Sequence, residues 1–264
     1  MKTLPLALAG MLALTGCAST PLGRTQFTML SDSQVAQMGD QAFLNLKKKV
    51  PLDEDRQANA YVDCVAAAIV REAGGQWEVA VFREDSANAF ALPGGKIGVH
   101  TGIFTVATNQ DQLATVLAHE VAHVLSRHTN ERVSQELAVS QGLNVLQAIA
   151  NPTSGAGQTL MGLLGVGAQY GLLLPYNRLQ ESEADLLGLD LMAKAGFDPR
   201  QSMELWRNMD RAGGAQPVEF LSTHPSHATR MQDLDARMPT AMSLQREARA
   251  NGRNPQCDGL RSGH

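Results

Sequence analysis

The chain has 264 residues, 44% of them hydrophobic and 18% charged, with a formal net charge of -4. That is enough apolar content to bury a core, which excludes a disordered chain. With no dense lysine and arginine block, and "KKK" at Lys47 to Lys49 reading as a helix end, no nucleic-acid partner is expected.

At the front, Lys2 precedes an apolar run from Leu4 to Leu14 that is too short to remain as a membrane helix, so residues 1–16 read as a signal peptide. Leu14, Thr15, Gly16 and Cys17 resemble a bacterial lipobox, which implies cleavage before Cys17 and lipidation of its thiol. Ala18 resembles the sorting position of lipoproteins sent to the outer membrane of a Gram-negative cell. The expectation is an outer-membrane lipoprotein facing the periplasm, held by several acyl chains, since one chain alone binds marginally. Residues 17–30 then read as the lipidated cysteine and a tether, because they carry turn formers and no periodicity. The remaining cysteines, Cys64 and Cys257, are expected to pair, because disulfides persist in such a compartment.

Residues 31–250 are expected to form one domain and 251–264 a tail. The segments 31–49 and 53–74 space their apolar residues by three and four, as amphipathic helices do, and Gly74 and Gly75 stop the second. "WEVAVF", "NAFALPGG" and "KIGVHTGIF" are short Val-, Ile- and Phe-rich runs separated by turn residues, which predicts a small sheet of about three strands. From Asp111 the pattern is helical again, with Thr108 and Asp111 as a capping-box-like start. Further helices are expected over 132–150, 177–195, 199–212, 225–237 and 240–250. The nearly uncharged, Gly- and Leu-rich stretch 151–176 reads as a mobile cover over the site, or less simply as a membrane contact.

"TVLAHEVAHVLSRH" carries the chemistry. Residues four apart share a helix face, so His119 and His123 can present both imidazoles to one ion, with Glu120 turned to the side where an attacking water would lie. A catalytic zinc usually takes three protein ligands. The segment "NRLQESEADLLGLDLM" supplies the candidates: Glu181 and Asp185 are again four apart, so that one can bind the ion while the other holds a ligand histidine in its tautomer. Glu183 projects elsewhere on that helix.

"HEVAH" followed by "ESEAD" resembles the zinc endopeptidases of the HtpX and CAAX-prenyl-protease family, a gluzincin group, and the lipobox resembles that of its periplasmic lipoprotein members. "NAFALPGGKIGVHTGIF" before the motif and "STHPSHATRMQDL" after it extend the resemblance from about Ser31 to Met238. It implies an α+β fold, mostly helical and zincin-like, with a small mixed β-sheet and an HExxH active-site helix. It implies one zinc per chain on His119, His123 and Glu181, with Asp185 as the outer partner and Glu120 as the general base. His224, in "STHPS", is implied near the site, either donating to the substrate's oxyanion or binding zinc in a resting state. Asn88, Ala89, Phe90 and Ala91 are similar to the edge strand on which gluzincin substrates add as a further strand.

The implied substrates are unfolded or misassembled envelope proteins, the membrane is reached through the lipid anchor, and outer-membrane assembly machinery is a candidate partner. A chaperone-like assembly lipoprotein with little or latent hydrolysis is the rival reading. His100, His128, His227 and His264 read as surface or packing residues, His128 with a capping role at most. No P-loop and no Ser or Cys nucleophile motif occurs.

Overall fold

The computed structural model describes residues 17–139, 176–213, 218–224 and 228–260. It opens with β1 (Cys17–Ser19) paired antiparallel to β2 (Thr25–Phe27). Residues 17–27 are therefore a hairpin and not the tether expected from sequence. What docks it is polar: Gln26 is buried and its Nε2 donates to the Ser126 carbonyl at 2.9 Å. Hydrophobic periodicity carries no trace of such contacts.

Helix α1 (Asp32–Lys49) starts at a capping box, with the Ser31 hydroxyl accepting from Gln34 N while the Gln34 side chain accepts from Ser31 N, and ends in three lysines that complement its dipole. Helix α2 (Arg56–Ala73) is capped by Asp55 and stopped by Gly74 at φ +73°. It buries Ala58, Tyr61, Val62, Val65, Ala66 and Ile69, the stripe its three- and four-residue spacing predicts. Strands β3 (Glu78–Phe82), β4 (Ala89–Leu92) and β5 (Lys96–His100) make a mixed sheet in the order β3-β5-β4, β5 lying parallel to β3 and antiparallel to β4. β4 is thus an edge. The turn into β5 needs glycine: Gly95 has φ +71°, and a Cβ there would stand 2.1 Å from the Gln76 carbonyl oxygen.

A 3₁₀ turn (Thr101–Thr105) leads to α3 (Gln110–Leu125). Asn109, not Thr108, caps α3 by accepting from Gln112 N, whereas Asp111 accepts from Asp198 N at 2.7 Å. Thr108 still contributes, since its N–H and hydroxyl both donate to Gln112 Oε1. Then come α4 (His128–Val139), α5 (Arg178–Lys194), α6 (Gln201–Gly213), a single turn α7 (Glu219–Thr223) and α8 (Ala228–Ala250). The two helices expected over 225–237 and 240–250 are one, with Pro239 inside it. Asp235 and Pro239 both lie on the exposed side, where water can take the carbonyl that a missing N–H leaves unpaired. Nearly all of the cover expected over 151–176 lies outside the described residues.

The main core joins α2, α3, α5 and α8 to the sheet through Val65, Ile69, Val99, Leu113, Leu117, Val121, Leu189 and Leu234. A second cluster, Phe43, Phe82 and Leu92, fills the space between α1 and the sheet's other face. Among the described residues, no helix is long and apolar enough to cross a membrane. Cys64 of α2 is disulfide-bonded to Cys257, with Cα atoms 5.7 Å apart across 193 residues of sequence. Gln110, at the start of α3, braces the same tail by donating to Pro255 O and accepting from Cys257 N. Replacing both cysteines by alanine is expected to lower stability by about 2 to 5 kcal/mol, because the unfolded chain regains loop entropy. Urea unfolding with and without reductant checks this, and the substituted protein should no longer respond to reductant.

Candidate metal centre

His119 and His123 stand one helical turn apart on the buried face of α3, with ring centroids 4.7 Å apart and Nε2 atoms 3.0 Å apart. Helix α5 packs close against α3 at Gly188, where a Cβ would lie only 3.0 Å from the N and Cα of His119. That approach carries Glu181 to the histidines: its Oε1 is 3.4 Å from His123 Nε2 and its Oε2 is 3.6 Å from His119 Nε2. At the end of α7, His224 brings Nδ1 to 3.2 Å from His119 Nε2 and 3.0 Å from Glu181 Oε1. One donor atom from each of the four residues lies within 4.8 Å of all the others, and all four residues are buried.

Imidazole lone pairs converging at such distances repel one another unless a proton or cation sits between them. Three imidazoles and a carboxylate form the borderline-soft donor set that suits zinc and its neighbours, so the residues fit a metal ion.

Around this cluster lies a layer of polar contacts. His119 Nδ1 is 3.0 Å from Asp185 Oδ1. Arg230 of α8 donates to both Asp185 oxygens at 2.5 and 2.7 Å, pairs with Glu181 Oε2 at 2.8 Å, and lies over the Trp206 ring at 4.2 Å. Glu120 Oε2 accepts from Ala91 N of β4 at 3.2 Å. Among the described residues its Oε1 has no hydrogen-bond partner, although His224 Nε2 lies 3.3 Å away. Tyr176 stacks on His123 with centroids 3.9 Å apart.

Burial pushes the Glu120 carboxyl above its ordinary range, outweighing the nearby histidines. Burial also drives the His123 imidazole well below its usual value. For Glu181 burial acts upward, but the charge of His224 and hydrogen bonds with His123 and His224 overcome it and hold the carboxyl well below normal. Asp185 is likewise held low, Arg230 prevailing over burial.

Of the candidate substrate strand, Ala91 meets Glu120 directly, Asn88 Nδ2 donates to Glu219 Oε1 at 3.2 Å, and the Ala87 carbonyl before it accepts from Phe220 N at 3.2 Å. Asn88 O accepts from His100 N on the β5 side, so by alternation Ala89 and Ala91 turn their backbone groups to the open edge. Phe90 packs beside Phe82 and His100 and over Gly98, whose missing side chain makes the room.

His128, expected as a surface or packing residue, is fully buried, with Nδ1 2.9 Å from His123 Nδ1 and Nε2 3.1 Å from Glu183 Oε2. Glu183 thus turns inward toward the layer behind His123, and not away from the site as its helix position suggested. Sequence reasoning also passed over Arg230, Arg24 and Tyr176. Arg24 reaches the site from a hairpin about a hundred residues upstream of His123, which no spacing marks; Tyr176 lies five residues before Glu181 and Arg230 lies within "STHPSHATRMQDL", so only their proximity to those segments was a signal.

Two carboxylates behind this layer respond to acid. Burial raises Glu183, but the His128 hydrogen bond and Arg24 outweigh it and bring its carboxyl down to about 2. Glu131, bonded to Arg24 and Gln180, is also held below normal against burial. A depressed carboxyl stabilises the fold above its unfolded-state value near 4.5 and loses that contribution as pH falls toward 2. The metal-free protein should therefore lose on the order of 2 kcal/mol between pH 5 and pH 2.5 through these groups. Urea midpoints across that range check it, and Glu183→Gln with Glu131→Gln should flatten the slope.

Two histidines on one helical turn, a glutamate between them and a carboxylate from a second helix define a metallopeptidase of the gluzincin pattern. The chain belongs to peptidase family M48, whose sequence model matches residues 51–238. It is 40% identical over 186 residues to the mitochondrial metalloendopeptidase OMA1 of Schizosaccharomyces pombe, covering 69% of this chain and 53% of that protein. It is 32% identical over 224 residues to the β-barrel assembly-enhancing protease of Escherichia coli K12, covering 80% of this chain and 45% of that one. An Arabidopsis thaliana protein named mitochondrial metalloendopeptidase OMA1 is 32% identical over 244 residues, covering 89% of this chain and 48% of its own length. The chain spans about half the length of these relatives.

Proposed function

We propose that this protein is a zinc-dependent metalloendopeptidase that hydrolyses peptide bonds of misfolded or stalled envelope proteins. The observation that carries the reading is the buried four-donor cluster with Glu120 beside it and a strand edge, unpaired among the described residues, alongside. His119, His123 and Glu181 hold one zinc per chain. Zinc, when bound, supplies Lewis acidity, which polarises a carbonyl oxygen and makes water a stronger acid.

Glu120, kept basic in character by its burial and fixed through one oxygen by Ala91 N, takes the proton of the attacking water and passes it to the leaving amine. Asp185, with Oδ1 3.0 Å from His119 Nδ1, is placed to take that nitrogen's hydrogen and so to direct the His119 Nε2 lone pair at the metal. A substrate segment adds to the edge presented by Asn88, Ala89, Phe90 and Ala91, with the backbone groups of Ala89 and the carbonyl of Ala91 bonding it, the Ala91 N–H being engaged by Glu120, and Phe90 holding the strand from behind. His224 has two duties in this reading. Its distances to His119 and Glu181 support a fourth-ligand, resting role, and its Nε2 beside Glu120 supports donation to the substrate's oxyanion once it withdraws.

Lipidation of Cys17 and residence at the outer membrane, facing the periplasm, are supported by the N-terminal sequence, and the name of the Escherichia coli relative supports envelope substrates and a link to assembly machinery. The OMA1 relatives are named for mitochondria, so the location rests on the N-terminal sequence. The position of His224 favours the second reading, a latent protease that works as a chaperone-like assembly lipoprotein.

Casein cleavage by wild type and His224→Ala, with and without a chelator, tests the proposal. Chelator-sensitive cleavage by wild type supports the metallopeptidase, and His224→Ala separates the two duties: a rise favours the latch and a fall the oxyanion donor; cleavage indifferent to chelator sinks the proposal. Rescue of an envelope defect by Glu120→Gln would favour the chaperone-like reading. Cofractionation with outer membranes, lost in Cys17→Ser, tests the location.

A further inference from the structure

His119 has a carboxylate behind it in Asp185, whereas the support behind His123 runs much further. Its Nδ1 faces His128 Nδ1 at 2.9 Å, His128 Nε2 faces Glu183 Oε2 at 3.1 Å, and the same Glu183 oxygen accepts from Arg24 Nε at 2.7 Å. Arg24 also forks onto Glu131 of α4 through Nη1 and Nη2 at 2.7 and 2.8 Å. Its backbone closes the β1-β2 hairpin, with Gly23 N donating to Thr20 O and Thr20 N to Arg24 O, and Gly23 at φ +87°. His123, His128 and Glu183 are all buried.

The hydrogens along this line can run in only one direction. If His123 offers Nε2 to a metal, its Nδ1 must carry the hydrogen and donate to His128 Nδ1. His128 then carries its hydrogen on Nε2 and donates to Glu183. A carboxylate that accepts from both an imidazole and a guanidinium is fixed in place and fixes its donors in turn.

We propose that Arg24 is a positioning residue for the metal centre, acting through Glu183 and His128 to set the tautomer, orientation and basicity of His123. The hairpin that begins at Cys17 is thereby part of the metal site's support and not a passive tether. This inference rests on the metal-site reading above and adds to it a residue some hundred positions upstream of the ligand it serves.

The test measures zinc affinity by competition with a chromophoric chelator, on the full mature chain and its Arg24→Ala, Glu183→Gln and doubly substituted forms. Arg24→Ala and Glu183→Gln are each expected to weaken zinc binding about 10-fold, the low end for outer partners of a ligand. The double variant should be no weaker than the worse single one, because both act on the same line. The visible spectrum of the cobalt-substituted protein should shift in all three, a change that simple loosening of the hairpin would not produce. Arg207→Ala, which removes a surface pair with Glu204, should keep wild-type affinity and spectrum.

Wild-type affinity and spectrum in Arg24→Ala, or losses that add in the double variant, would overturn the inference while leaving the metal site standing. Failure of wild type itself to bind zinc would instead overturn the underlying reading. Should Arg24→Ala lose its helical circular dichroism, Arg24→Lys carries the same cycle; it keeps a cation beside Glu183, and a smaller but still non-additive loss is expected.

Discussion

Glu120→Gln is expected to lower the rate of peptide cleavage by about 10²- to 10⁴-fold, the usual contribution of a positioned general base. The change is nearly isosteric. The glutamine carbonyl can still accept from Ala91 N, so β4 and α3 keep their contact, and none of the four converging donor atoms is touched. Metal content, fold and substrate binding should therefore persist, and the loss should appear in kcat with KM little changed. In barrier terms that is roughly 3 to 5 kcal/mol. Steady-state cleavage of a quenched peptide by both proteins measures it. Cleavage at the wild-type rate would remove Glu120 from the mechanism.

Arg230→Ala should be the most damaging substitution outside the donors. The guanidinium is 2% exposed and sits between Asp185 and Glu181, two buried carboxylates held ionised largely by it and the histidines. Removing it leaves two buried negative charges short of a partner and uncovers the Trp206 ring, a loss of about 3 to 5 kcal/mol in metal-free protein. Urea unfolding measures the shift in midpoint. Pairing Arg230→Met with Asp185→Leu should restore much of the loss, because it removes the stranded charge as well as its partner. If the single and double variants unfold alike, the damage comes from lost packing and not from the uncompensated carboxylate.

These effects also mark where the sequence could be read and where it could not. His119, Glu120 and His123 were legible because their relation is local, fixed by one helical turn, and Glu181 and Asp185 share a second such turn. The helices α1 and α2 and the three strands were legible for the same reason, since their periodicity and stop residues lie within each segment. Arg230 was not, because an arginine on a polar helix looks solvated until α8 is packed against α5 and α6. His128 looked like the end of the active helix, yet the chain reverses at Arg127, the one described non-glycine residue with positive φ, and turns the histidine inward. The hairpin at 17–27 escaped notice because ion pairs and side-chain amides, not apolar stripes, dock it. The helices expected over 225–237 and 240–250 are one that runs through Pro239, because a proline is tolerated best where the freed carbonyl is on the exposed side.

The most direct test of the account is a zinc titration of the metal-free protein in which bound metal and cleavage of unfolded casein are followed together. The account predicts no cleavage without metal, then cleavage rising in step with zinc and levelling at one equivalent per chain, with His123→Ala failing on both counts. Cleavage by the metal-free protein, or zinc binding that never reaches one equivalent, would contradict it.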